Sequence, residues 1–125
     1  MTARPAFGLD VDLPRNLVHT RYSGHITVVE MQAAVAQITV QLPALKAGFA
    51  ILADWSQLES MGLDCVPHLT AIMDLCRVHR AGTIVRILPD PSKDIGINLL
   101  SAIHLRGQVK IITCDTLEEA ERALK

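Results

Sequence analysis

Three short aliphatic runs, each followed by residues at helical spacing, constrain this chain more than anything else in it. They are Phe49-Ala50-Ile51-Leu52-Ala53, Thr83-Ile84-Val85-Arg86-Ile87-Leu88 and Val109-Lys110-Ile111-Ile112-Thr113. A continuous apolar run of this length suits a strand buried on both faces, the kind that parallel sheets use. Parallel neighbours need long crossovers, and the intervening helical stretches supply them. The expected fold is therefore α/β: a mostly parallel or mixed sheet of about five strands, opened by a hairpin, with four helices. Residues 1–125 form a single domain in this reading, with residues 1–16 as first strand and turn.

The remaining elements follow from local chemistry. Phe7 to Leu13 alternates apolar with small or acidic residues, Pro14-Arg15-Asn16 is a turn signal, and Leu17 to Tyr22 is a second strand, with Ser23-Gly24 breaking it. Thr27-Val28-Val29-Glu30 has the form of a capping box. Val28, Met31, Val35, Ile38 and Leu42 follow on one helical face, and Pro43 ends it. A second helix is expected from an N-cap at Asp64 to about Arg80, closed by Gly82. A third spans Ile95 to about Leu105 and is apolar nearly all round. The last follows a second capping box, Asp115-Thr116-Leu117-Glu118, and docks through Leu117, Ala120 and Leu124.

Composition excludes several classes. Twelve Lys and Arg against thirteen Asp and Glu leave no basic stripe to neutralise phosphates, so nucleic acid is not an expected partner. No segment approaches the ~20 apolar residues that span a bilayer. Three widely spaced cysteines make no disulfide framework, and the expected location is cytoplasmic. So much aliphatic content at near-zero net charge suggests surface hidden in a homodimer.

Gly24-His25-Ile26-Thr27 before the first helix, Ile51-Leu52-Ala53-Asp54-Trp55-Ser56-Gln57-Leu58 before the second, and Leu117-Glu118-Glu119-Ala120 after the final strand resemble the STAS domain of the SpoIIAA-like class. The match covers roughly Leu17 to Lys125 and looks most like a divergent branch related to CRAL-TRIO-type lipid-binding domains. The resemblance implies a non-enzymatic regulatory module that binds another protein, with an apolar-ligand or lipid carrier as the alternative and an enzyme as the third. In antagonist-type members the second helix opens with Asp-Ser-Ser-Gly or similar, and the second Ser is phosphorylated. Here Gly62-Leu63-Asp64-Cys65 occupies that place. Both serines are absent, and Asp64 would carry a fixed negative charge at the acceptor position.

The candidate partner or ligand residues are Asp54, Trp55, Ser56, Gly62, Leu63, Asp64, Arg86, Ile95, Leu99 and Ile103. Trp55, taken as exposed on a loop running to Leu63, is the natural anchor, because aromatic residues dominate interface energies. Asp64 serves as helix cap or as a mimic of the phosphorylated state. Arg86 interrupts an aliphatic strand, so it either snorkels at a sheet edge or faces a ligand. Ile95, Leu99 and Ile103 lack an opposing polar face and are assigned to an oligomer interface or to the lid of an apolar cavity. Cys65 with His68 and Cys76 with His79 look like metal half-sites, but about 16 Å of helix separates them, far beyond one ion's reach. No metal and no cofactor is expected. His19, His25 and His104 are expected on different elements, with no nucleophile elbow before any helix, so no catalytic residue is assigned.

Overall fold

The computed structural model describes residues 7–88 and 109–124. Its strands are β1 (Phe7–Asp12), β2 (Leu17–Ile26), β3 (Ala50–Met61), β4 (Thr83–Ile87) and β5 (Lys110–Cys114). They lie in that order in one five-stranded sheet. β1 pairs antiparallel with β2, and every later pairing is parallel. The expected hairpin-opened mixed sheet is therefore present. Among the described residues there are three α-helices rather than the expected four: α1 (Val28–Gln41), α2 (Val66–Val78) and α3 (Leu117–Ala123). The expected third helix, with Ile95, Leu99 and Ile103, lies outside the described residues, as does His104.

Two apolar layers follow from the period-2 alternation of the strands. On one face Val18, Ile51, Ala53 and Trp55 pack against Met31, Ala34 and Ile38 of α1 and Leu69, Met73 and Cys76 of α2. On the other, Leu17, Leu52, Val85, Ile87 and Cys114 meet Ala120 of the short α3. The central strands are buried on both sides, as their unbroken apolar sequence requires.

Several boundaries differ from the expected ones. β2 does not stop at Ser23-Gly24 but runs to Ile26, with register irregularities between Arg21 and Ser23 and between Gly24 and His25. Gly24 makes this affordable by taking φ +70°, so the pair bulges instead of ending. β3 likewise continues through the stretch expected as a loop, to Met61. As a result His19 and His25, expected on different elements, both lie on β2.

Gly82 does not close α2. Arg80 takes the left-handed turn at φ 62°, and the Ala81 N–H donates to the Cys76 carbonyl, a helix-ending arrangement. Gly82 is needed for another reason: a Cβ there would sit 2.8 Å from the Gly48 carbonyl oxygen. The final cap is also one residue later than expected. Thr116 Oγ1 accepts from the Glu119 N–H at 3.2 Å, and the Glu119 carboxylate accepts from the Asp115 N–H at 3.3 Å.

Candidate functional site

The carboxyl ends of β2 and β3 and the entry to α2 form a rim. Gly62 takes extended backbone angles, then Leu63–Cys65 make one 3₁₀ turn before α2 begins at Val66. Asp64 is therefore inside that turn and is not the cap of the α-helix. Its side chain folds back over Gly62, where an added Cβ would meet Asp64 Oδ1. Leu63 is 76 % exposed and Asp64 is exposed, so an apolar tip and a carboxylate stand side by side in solvent. Across the rim, Thr27 starts α1, and its N–H and hydroxyl donate to the Glu30 carboxylate at 3.1 and 2.8 Å. His25 Nδ1 contacts the Ser60 hydroxyl and joins the ends of β2 and β3. Beneath the tip, Cys65 is buried. Burial pushes its thiol up, with the Asp64 and Glu30 carboxylates adding and a backbone hydrogen bond at Gly62 opposing. Among the described residues, Asp64 and Glu30 thus place two carboxylates at the rim.

Asp54 and Ser56 are half-buried on β3, and the Ser56 N–H donates to Asp54 Oδ1 at 2.9 Å. They brace the strand below the rim. Trp55 departs furthest from expectation: it is only 5 % exposed. Its ring stacks on Tyr22 with centroids 4.0 Å apart and planes 12° apart, and Phe7 meets Tyr22 edge-on at 5.3 Å. The reason is strand parity. Ile51, Ala53 and Trp55 point to one face, so continuing β3 carries the indole into the core.

Arg86 is also inside, at 4 % exposure, and its Nη2 donates to Thr113 Oγ1 at 2.9 Å on β5. It does not snorkel at an edge, because β4 lies between β3 and β5. Arg86 and Trp55 share an apolar cavity of about 60 Å³ between the sheet and the two helices, with Thr20, Ile38, Ile51 and Met73 among its walls. Trp55 Nε1 and Thr20 Oγ1 are buried there without a hydrogen-bond partner. Burial raises the Tyr22 phenol well above its usual range, with the Thr20 hydroxyl, near it but outside hydrogen-bond geometry, pulling the other way.

The sequence thus singled out Trp55 and Arg86 but gave them separate roles, and it missed Thr20 and Tyr22. Extending the alternation of β3 by two residues, and reading β2 in register beside it, would have found the group. On the opposite sheet face a second hollow of about 170 Å³ is lined by Asp10, Asp12, Arg15, His19 and Glu121. Desolvation and the nearby Arg21 lower the His19 pKa from 6.5, with Asp54, Asp10 and Glu121 opposing. Cys65 and Cys76 are both buried thiols, and no group of three or more metal-ligating side chains occurs among the described residues.

No protein-family model matches the sequence, and no curated protein matches it. Solved structures do match its shape. An anti-sigma factor antagonist from Mycobacterium paratuberculosis is 18% identical at TM-score 0.61, over 99% of this chain and 98% of that one. The Bacillus cell-fate determinant SpoIIAA, in its phosphorylated form, is 21% identical at TM-score 0.61, over 96% and 100%. An uncharacterised Shewanella loihica protein with a SpoIIAA-like fold is 10% identical at TM-score 0.67, over 100% and 99%. With near-complete coverage on both sides, and the sheet order and hairpin described above, this chain has the SpoIIAA-like fold.

Proposed function

We propose that the chain is a non-enzymatic regulatory module that works by protein–protein association through the rim at Gly62, Leu63 and Asp64. The observation that carries this reading is the exposed apolar tip of Leu63 beside the fixed charge of Asp64, at the entry to α2. An interface needs an apolar anchor ringed by polar groups, and Leu63 takes the part first assigned to Trp55. Asp64 holds permanently the kind of charge that a phosphate would add, so the module is constitutively in one state. Asp54 and Ser56 support the rim from β3. Homodimerisation through the apolar stretch carrying Ile95, Leu99 and Ile103, and a cytoplasmic location, belong to the same proposal on sequence grounds alone.

The test is quantitative affinity enrichment from the native host, comparing wild type with Leu63→Ser, Asp64→Asn and Asp64→Ser. Loss of the same protein in Leu63→Ser and Asp64→Asn supports the reading. Identical enrichment in all four refutes it, since Asn keeps the polarity and size of Asp64 while removing its charge.

A second reading, a small carrier or sensor of apolar ligands, rests on the cavity between sheet and helices. Its walls are overwhelmingly aliphatic and aromatic, as ligand sites tend to be.

A further inference from the structure

We infer that this cavity takes a short aliphatic molecule bearing a carbonyl or carboxylate oxygen, and that Trp55 and Thr20 recognise that oxygen. The inference rests on the second reading above and deepens it by naming the ligand's chemistry.

A purely structural core has no reason to bury a hydrogen-bonding side chain unmatched, since each such group costs about 1–3 kcal/mol. Here two do so beside the same empty space. Trp55 is 5 % exposed and Thr20 3 %, both line the cavity, and neither Trp55 Nε1 nor Thr20 Oγ1 has a partner. Their chemistry narrows what belongs between them. An indole N–H only donates, so its missing partner is an acceptor. A threonine hydroxyl can donate to the same oxygen. A single acceptor oxygen on a short apolar chain answers both groups. Among the other described wall residues, Ile38, Ile51, Met73 and their aliphatic neighbours offer apolar contact, and the Tyr22 phenol is a further polar group.

Size sets the rest. At roughly 10–15 Å³ for each enclosed water, about 60 Å³ admits some four to six heavy atoms. That fits a four-carbon chain with an oxygen-bearing head and excludes a full-length fatty acid, a sterol or a nucleotide. The same limit separates this site from a lipid carrier of the ordinary kind.

The chain's single tryptophan makes the test direct, because one indole N–H resonance reports the proposed contact. The full-length protein is titrated with butyrate, 2-butanone and n-pentane, and its ¹H–¹⁵N spectrum is followed. The expected result is a saturable downfield shift of the indole peak with butyrate or butanone, at a dissociation constant on the order of 1 mM for so small a ligand. Tighter butyrate binding assigns a carboxylate head, and tighter butanone binding a neutral carbonyl. Trp55→Phe keeps an aromatic ring, and Thr20→Val keeps the shape of the side chain. Each should weaken the oxygen-bearing ligand, Trp55→Phe by roughly ten-fold as read from backbone amide shifts, while leaving pentane unaffected. If pentane binds as tightly as butyrate and butanone and both variants are silent, head recognition is overturned while the apolar-cavity reading stands. If none of the three perturbs the cavity at about 20 mM, or at saturation for pentane, both are overturned.

Discussion

Replacing Trp55 separates a core residue from an interface anchor. The indole is 95 % buried by its 5 % exposure, stacked on Tyr22 at 4.0 Å, and continuous with the layer formed by α1 and α2. Truncating a buried Trp to Ala ordinarily costs about 3–5 kcal/mol, of which the aromatic pair supplies about 0.5–1.5. The orphaned N–H works against that total, because removing a buried unmatched donor returns about 1 kcal/mol or more. The expected loss for Trp55→Ala is therefore about 3 kcal/mol, a large fraction of the ~5–15 typical of a domain. Trp55→Phe, which discards the unmatched N–H and keeps a ring against Tyr22, should lose only about 1 kcal/mol. Urea unfolding followed by far-ultraviolet circular dichroism is the assay, since the substitution deletes the only tryptophan fluorophore. A double-mutant cycle with Tyr22→Leu should return a coupling of about 0.5–1.5 kcal/mol. A loss below about 1 kcal/mol for Trp55→Ala, the behaviour of an exposed side chain, would refute the placement of this ring in the core.

Four further outcomes are expected. Gly82→Ala should destabilise by about 1–3 kcal/mol, because its Cβ meets Gly48 backbone atoms that the Gly48 N–H bond to Arg80 and the Gly82 N–H bond to Phe49 hold in place. Gly24→Ala, with open space around it but φ +70°, should cost only about 1 kcal/mol in the same urea titration. For His19 the folded pKa lies below 6.5, so the folded state resists the proton that the unfolded chain accepts. Its contribution is present above pH 6.5 and lost as pH falls through the lowered value; His19→Gln should therefore flatten the acid side of the stability–pH curve relative to wild type. All three thiols are buried and raised by desolvation, Cys76 to about 12, so Ellman's reagent should label none in the native protein at neutral pH and all three in urea. Rapid native labelling of Cys76 would contradict its burial.

The lesson of Trp55 extends to how this fold was legible at all. Fold class came from three mainly aliphatic runs and the helical spacing between them, and the structure returns that mixed, hairpin-opened sheet. The helix starts at Thr27 and beside Asp115 were legible because capping is local chemistry, decided within four residues. The ends of strands were not. Ser23-Gly24 and Asp54-Trp55-Ser56 read as breaks, yet β2 and β3 run on together because each supplies the other's hydrogen bonds, with bulges absorbing the mismatch. Gly82 showed the same limit, since its need comes from Gly48, a residue 34 positions away in the sequence.

What the sequence determined alone was periodicity: which runs become strands, which become helices, and that they alternate. Tertiary structure decided which faces close on which. It turned Trp55 from a rim anchor into a core ring, set Arg86 against Thr113, and left Leu63 and Asp64 outside. Periodicity is carried by neighbours along the chain, whereas burial depends on partners that strand register brings from far away, and one added residue of strand reverses it.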